Sequence, residues 1–383
     1  MEEKLALYGG RPVRDIPLPP SYPGASVYGE EEKAAVLEVI DQKSPYRYYG
    51  PNVLGKVKEF EKAFSQKIGN QFALGVTSGT AALVVALKAA GIGPGDKVIV
   101  PACTFIATAG AVVCAGAVPV FADIDDSLNI DPGSIGKVVD KYTKAVITVP
   151  ILGNPCQMDR ITEEAKKYNL VVIEDVAQSL GSKYKGKYSG TFGDINCFSL
   201  QINKTITTGD GGVVSTNDPK LYERAIRYHD QGMYREKEGF LSTSIEDDIF
   251  IGQNYRMSEI SGAVALEQLK KVDMITGNMH RIKYYIKDQL KGTPGIDFRR
   301  INDEEGDSGN ALILLLKDKE KTVEFVKALN AENIAASRLY NGEPVYMVPQ
   351  LFYQKTVDKN RFPFNQFDEK VVYSKDMCPN AVE

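Results

Sequence analysis

Cys197-Phe198-Ser199-Leu200-Gln201-Ile202-Asn203-Lys204-Thr205-Ile206-Thr207-Thr208-Gly209-Asp210-Gly211-Gly212 decides the reading of this chain. It opens as an apolar strand, passes a lysine and closes in a glycine-rich turn that leads into a second apolar run, Gly212–Thr216. Glu174-Asp175-Val176-Ala177-Gln178-Ser179 stands upstream, at the end of another apolar run. A lysine alone is uninformative among 46 Lys and Arg. Held and partly desolvated in a tight turn, it can have its pKa lowered toward a nucleophilic range. A strand-end carboxylate, then a hydroxyl and then such a lysine is what a pyridoxal phosphate (PLP) enzyme requires. The amine forms a Schiff base and the carboxylate partners the pyridinium nitrogen.

The surroundings of that segment set the fold class. From 72 to 216, short apolar runs alternate with helical stretches. The expected strands are Lys97–Val100, Pro119–Ala122, Ala145–Val149, Leu170–Glu174, Asn196–Leu200 and Gly212–Thr216. Helices are expected at Ala81–Ala90, Thr104–Ala115 and Asp159–Tyr168. This alternation predicts an α/β fold, a mostly parallel central sheet with helices on both faces. Pro101, Asp123, Pro150 and Asp175 end their strands with turn or polar residues, and ligands of open α/β sheets gather at those carboxyl ends.

Outside this core, residues 1–25 are rich in Pro and Gly and read as an extended arm. Glu30–Ile40 and Val57–Ile68 carry helical spacing of apolar residues. A large domain is expected over 26–270, with Met257, Ile260 and Val264 on one face of a late helix. A smaller α+β domain is expected over 271–383, with a strand at Ala311–Leu316 and a helix at Thr322–Asn330. Cys378–Glu383 reads as the start of a helix too short to be stable alone, as if the tail were truncated.

Composition narrows the function. The 383 residues are 43% hydrophobic and 25% charged, enough for a large core and two or three domains at roughly 100–200 residues each. Net charge is -4 and no basic stripe suggests nucleic acid. Five cysteines without a CxxC pair fit a reducing compartment, and two histidines argue against a His/Cys metal site. The amino terminus does not read as a signal peptide, and the longest nearly apolar run, Ala109–Ala122, is too short to span a bilayer. A cytoplasmic protein with no membrane partner is expected.

Further residues fit the same chemistry, each with a plainer reading beside it. Gly75-Val76-Thr77-Ser78-Gly79-Thr80 precedes a strong helix, whose free N–H groups and positive dipole end suit phosphate. An ordinary Ser/Thr cap accounts for the same residues. Asp175 by itself reads equally as a helix cap or a surface carboxylate. Gln178, three residues on, shares its face and can reach the cofactor's phenolic oxygen. Phe105 can stack on the pyridine ring or fill a core. Ser199 adds a phosphate hydrogen bond or is a satisfied strand-end hydroxyl. The order of these elements along the chain is more informative than any one of them.

With these motifs the chain resembles the DegT/StrS-type sugar aminotransferases, fold-type I PLP enzymes, over roughly Gly9 to Ala381. The resemblance rests on the Thr-Ser-Gly-Thr helix start, Gly93-Pro94-Gly95-Asp96, Val100-Pro101 leading to Thr104-Phe105-Ile106-Ala107-Thr108, Glu174-Asp175-x-Ala177-Gln178, Phe198-Ser199, Lys204, Thr208–Gly212 and Asn254-Tyr255-Arg256-Met257-Ser258-Glu259. It implies that Lys204 holds PLP, Asp175 contacts the ring nitrogen and Gln178 the ring oxygen. It implies further that Phe105 stacks, that Gly79, Thr80 and Ser199 bind phosphate, and that Asn254 completes the site of the other subunit of a homodimer. Without it, Asn254 and Arg256 read as caps of the following helix. Many relatives carry a histidine after the strand where this chain has Pro150-Ile151-Leu152-Gly153-Asn154, a departure that bears on subfamily and acceptor.

The implied reaction moves an amino group from glutamate or glutamine, through pyridoxamine phosphate, to a keto or aldehyde sugar, sugar acid or cyclitol. Arg47, Tyr48 and Arg256 are candidates to bind that acceptor, or are surface and interface residues. The amino-terminal Leu5–Arg14 is similar to branches acting on cyclitols or making aminobenzoate precursors. Ser44–Gly50 and Gly153–Cys156 are similar to a branch aminating an eight-carbon sugar acid. A PLP-dependent dehydratase or cyclising enzyme, whose members can keep the lysine, is the alternative on the same scaffold. A non-catalytic PLP-binding regulatory homologue is another, against which the retention of Lys204, Asp175 and Gln178 together argues. A nucleotide-binding α/β domain lacks its GxGxxG after the first strand.

Overall fold

A computed structural model describes residues 4–233 and 249–382. Its centre is a seven-stranded sheet: β1 (Phe72–Val76), β2 (Lys97–Pro101), β3 (Val118–Ala122), β4 (Thr143–Thr148), β5 (Val171–Asp175), β8 (Ile195–Ser199) and β9 (Gly212–Thr216). A two-residue hairpin, β6 (Lys183–Tyr184) with β7 (Lys187–Tyr188), lies between β5 and β8. The order across the sheet is β1-β9-β8-β5-β4-β2-β3. Only β9 runs antiparallel to its neighbours, so the carboxyl ends of the other six strands share one edge.

Strands covered on both faces must be apolar throughout, and β8 and β9 are buried at every residue. The six expected strands are present with ends shifted by a residue or two. Phe72–Val76 was not among them. Gly75 interrupts its apolar pattern, and the buried Met257 side chain packs close against it, with its sulfur 2.9 Å from where a Cβ would sit.

Helices α1 (Glu30–Asp41), α2 (Lys56–Ile68), α3 (Gly79–Ala89), α4 (Ile106–Cys114), α5 (Pro132–Val138), α6 (Met158–Lys167), α7 (Pro219–His229), α8 (Glu259–Leu269) and α9 (Val272–Leu290) surround the sheet. In α2, Val57, Phe60, Phe64 and Ile68 form one buried stripe at helical spacing. Helix α3 is buried nearly all round and Ala-rich, wedged among α4, α7, β8 and β9.

Past α9 the expectations need revision. The strand expected at Ala311–Leu316 shrinks to β11 (Leu314–Leu315), paired with β10 (Asp297–Phe298). The following helix is α10 (Lys319–Ala331), started by Asp318, whose carboxylate accepts from the Glu320 and Lys321 amides. Side chains near the end of the chain pack against the central sheet. Val345, Tyr346, Leu351, Phe364, Tyr373 and Cys378 join the same buried cluster as β2, β3 and α3. Phe121 of β3 packs edge-on to Tyr373 at 5.2 Å and tilted on Tyr346 at 5.4 Å.

The amino-terminal arm is extended apart from two single turns, at Ala6–Tyr8 and Ala25–Val27. Its first part is tied to the end of α10. The Ala6 and Val13 amides both donate to the Glu332 carboxylate at 2.7 Å, and Asn333 donates to the Arg14 carbonyl at 2.7 Å. Its second part lies on the lysine turn. The Gly24 amide donates to the Lys204 carbonyl at 3.3 Å, and the Tyr28 hydroxyl to the Thr207 carbonyl at 2.8 Å.

Candidate active site

Side chains alternate along a strand, so the two carboxylates ending β5 face opposite ways. Glu174 accepts from the amides of Gly190, Phe192 and Gly193 at 2.7–3.0 Å and serves to shape the 190–193 turn. Asp175 faces the site. Its Oδ2 accepts from the Thr108 hydroxyl at 2.8 Å, and its Oδ1 from the Ala177 amide at 3.2 Å. Thr108 in turn pairs with Thr104 at 2.8 Å. Asp175 is only 5% exposed, which excludes a surface carboxylate. Burial pushes its carboxyl above the usual range, while Thr108, the Ala177 amide and the charge of Lys204 pull the other way.

Lys204 stands in the turn that joins β8 to β9. That turn closes on itself: Leu200 donates to the Gly211 carbonyl at 2.8 Å and Thr208 to the Leu200 carbonyl at 2.9 Å. Gly209, at φ 85, takes the left-handed conformation the turn requires. Burial lowers the Lys204 pKa, and Asp175 opposes that shift without cancelling it. Among the described residues the Lys204 ammonium has no hydrogen-bond or ion-pair partner. The contrast is Lys283, buried in an ion pair with Asp307.

The expected phosphate residues come together. Ser78 caps α3, accepting from the Ala81 amide at 3.0 Å. The Gly79 and Thr80 amides thus head the helix as donors without intrahelical acceptors. A Cβ on Gly79 would lie 2.7 Å from the Ser199 Cβ, and one on Gly212 would lie 2.3 Å from the Ser78 carbonyl oxygen. The helix start, the end of β8 and the start of β9 are therefore in close contact, with Thr80 exposed beside them. The Ser199 hydroxyl accepts from the Gln201 amide at 3.3 Å.

Phe105 is not a core residue. It precedes α4 at 56% exposure, which leaves its ring available for stacking. Gln178 is half-buried, and its amide nitrogen donates to the Tyr340 hydroxyl at 2.8 Å. The candidate acceptor residues lie in another network. The Arg47 guanidinium is buried against Glu61 at 2.8 Å and also donates to the Gly75 carbonyl, an interior role that leaves little of it for a ligand. Burial works against its charge, but Glu61 holds it firmly protonated. The Tyr48 hydroxyl meets His229 at 3.3 Å. Arg256 pairs with Asp230 and crosses the Tyr46 ring. Asn254 is exposed and its backbone bridges Asp230, while Arg256, two residues on, bridges Val76 of β1. Ser258, not Asn254 or Arg256, caps α8.

Three site residues had no role assigned from sequence: Thr108, Tyr340 and Cys103, whose thiol burial pushes up to about 12 beside Arg299. Thr108 had a signal, since it lies one helical turn after Thr104. Among the described residues no group of three His, Cys, Asp or Glu is placed to hold a metal.

A sheet with one antiparallel strand, a lysine turn after β8, a carboxylate ending β5 and a helix start against both define a fold-type I PLP enzyme. Residues 27–371 match the DegT/DnrJ/EryC1/StrS aminotransferase family, and the chain belongs to it. Spore coat polysaccharide biosynthesis protein SpsC of Bacillus subtilis (strain 168) is 34% identical over 88% of this chain and 86% of its own length. GDP-perosamine synthase of Escherichia coli O157:H7 is 45% identical over 218 residues, 57% of this chain; the match spans only 58% of that relative's length. In structure, E. coli GDP-4-keto-6-deoxy-D-mannose-3-dehydratase with bound hydrated PLP superposes with a TM-score of 0.80 at 25% identity, over 96% of this chain and 92% of its own. The synthase of 3-amino-5-hydroxybenzoic acid gives 0.79 at 27% identity, over 96% and 91%.

Proposed function

We propose that this chain is a PLP-dependent aminotransferase of amino-sugar biosynthesis. It takes the amino group of glutamate or glutamine and delivers it to an oxo-sugar. Similarity to GDP-perosamine synthase supports a nucleotide-linked keto sugar as acceptor. One observation carries the reading: a partly desolvated Lys204, without a partner among the described residues, and a buried Asp175, within electrostatic reach of each other. Lys204 would hold the cofactor through its amine and would serve as the base that takes the donor's α-proton and the acid that gives it back. Asp175 would hold the ring nitrogen, Gln178 the ring oxygen, Phe105 the ring face, and Gly79, Thr80 and Ser199 the phosphate. When bound, the cofactor supplies the aldehyde and the electron sink.

The same reading makes the enzyme a cytoplasmic homodimer in which Asn254 serves the partner's site. Exposure of Asn254 and five unpaired cysteines support this. No described helix is long and apolar enough to cross a membrane. Tyr48 and Arg256 stay as acceptor candidates, with Arg47 packed over the Tyr48 ring.

The test is the visible spectrum of the purified, PLP-treated protein before and after L-glutamate or L-glutamine, with no acceptor present. A yellow band that bleaches with either donor is expected. No band would overturn the cofactor assignment. A band unmoved by both donors would favour the non-catalytic homologue; the dehydratase reading, which the structural likeness to a 3-dehydratase motivates, is separated by the sugar product instead, because a solved 3-dehydratase itself holds a PLP–glutamate adduct. Gly79→Ala checks the phosphate cradle. Its Cβ must push Ser199 aside, so PLP affinity should fall by roughly tenfold or more in a titration of the yellow band, about 1.4 kcal/mol.

A further inference from the structure

Gln178 is gripped by a distant part of the chain. Its side-chain nitrogen donates to Tyr340 at 2.8 Å, and its backbone carbonyl accepts from Asn310 at 2.9 Å. Tyr340 reaches that point from a strained turn: it sits at φ 46, ψ 35, and Asn341 follows at φ 60, ψ 14. Two successive non-glycine residues in the left-handed region are uncommon, and for a bulky aromatic this is an outlier that the surroundings must hold in place. Burial raises the Tyr340 pKa, so the phenol stays protonated and neutral, with Asp175 and Cys103 near enough to add to the effect. A neutral phenol accepting one hydrogen bond keeps its own proton for a second partner.

A glutamine amide has two N–H groups and a soft terminal torsion. With one N–H directed to Tyr340, the orientation of the other is fixed. We propose that Tyr340 is a positioning residue that aims the second N–H of Gln178 at the ring oxygen of the cofactor. This rests on the PLP reading above. A donor to that oxygen stabilises its negative charge most when no proton on the Lys204–cofactor linkage offsets it. Gln178, correctly aimed, therefore favours loss of the linkage proton, and loosening it makes the proton harder to remove.

The experiment is a pH titration of the yellow band in the PLP-loaded enzyme, for the parent, Tyr340→Phe, Gln178→Ala and the double variant. Tyr340→Phe keeps the ring and removes only the hydroxyl that accepts from Gln178. It should move the titration midpoint upward by roughly 0.4–1 pH unit, the worth of one hydrogen bond. Gln178→Ala should move it in the same direction, and the double variant no further than Gln178→Ala alone, because Tyr340 acts only through Gln178. An unmoved Tyr340→Phe midpoint beside a shifted Gln178→Ala would overturn the positioning role and leave the cofactor reading intact. Additive shifts would also overturn it, since Tyr340 would then act on the cofactor independently. If Tyr340→Phe does not fold, Asn310→Ala, which frees the Gln178 backbone, must give the upward shift or the clamp is rejected. Absence of a band in the parent would overturn both the clamp and the cofactor reading.

Discussion

Lys204→Ala protein should purify colourless after PLP treatment, bind the cofactor only reversibly, and turn over at least about 10²–10⁴-fold more slowly than the parent, the loss expected for a positioned acid–base group. The geometry makes this substitution clean. Among the described residues the ammonium has no hydrogen-bond or ion-pair partner, so its removal breaks no direct contact, and Asp175 loses only a partial offset to its burial. The turn around it is held by Leu200, Thr208 and Gly211 through backbone bonds that alanine does not touch. The variant should therefore melt close to the parent when both are free of PLP, which separates lost chemistry from lost folding.

The same lysine predicts a pH dependence of cofactor capture. The neutral amine is the nucleophile, and burial lowers the Lys204 pKa. The rate at which yellow colour develops should climb with pH and level off below the ~10.4 of an exposed lysine. Asp175 acts against this shift, so Asp175→Asn should move the plateau to still lower pH. A rate that keeps rising to the ordinary lysine value would mean that Lys204 is solvated and not the group captured.

Much of this was legible in the sequence because of how a parallel sheet must be built. Strands buried on both faces cannot alternate with polar residues, so β2, β4, β5 and β8 read as apolar runs, and their carboxyl ends locate Asp175, Ser199 and the lysine turn. The helix start at Gly79 was visible as small and hydroxyl residues before an alanine-rich stretch. What was hidden depends on contacts between residues far apart in sequence. Tyr340 meets Gln178 across 162 positions, and no periodicity reports that. Phe105 has the composition of a core residue and an exposed position, because it precedes α4 at the open edge of the sheet. Arg47 looked like a ligand-binding cation until Glu61, on the buried face of α2, accounted for it. The return of Tyr346, Tyr373 and Cys378 to the main core was likewise unreadable, since their apolar pattern is the same whichever core they fill.

Asp175→Asn should inactivate the enzyme and stabilise its cofactor-free form. Loss of the charged partner to the ring nitrogen is expected to lower kcat by about 10²–10³-fold, the range for removing one preorganised electrostatic contact. Folding should tolerate the change. The asparagine oxygen can accept from the Ala177 amide, its NH2 can donate to Thr108, and Thr108 can turn its own proton to Thr104, 2.8 Å away. The stability sign follows from burial, which raises the carboxyl pKa in the folded protein. Between the unfolded value, ~3.9, and the raised one, the folded state binds more protons than the unfolded state, so stability falls as pH rises through that window. Above it the penalty for a buried charge persists in full, and only partly offset by Lys204. Asparagine abolishes both the slope and the penalty. Free of PLP at neutral pH, the variant should melt higher by roughly 1–2 °C for each kcal/mol relieved, and the gap should close as pH falls toward 4. With PLP bound the ranking should reverse, because the protonated ring nitrogen then supplies the counter-charge that the apoprotein lacks. A variant less stable than the parent in both states would mean that the carboxylate is already compensated within the chain, and that Asp175 is a structural anchor for Thr108 instead of a partner held ready for the cofactor.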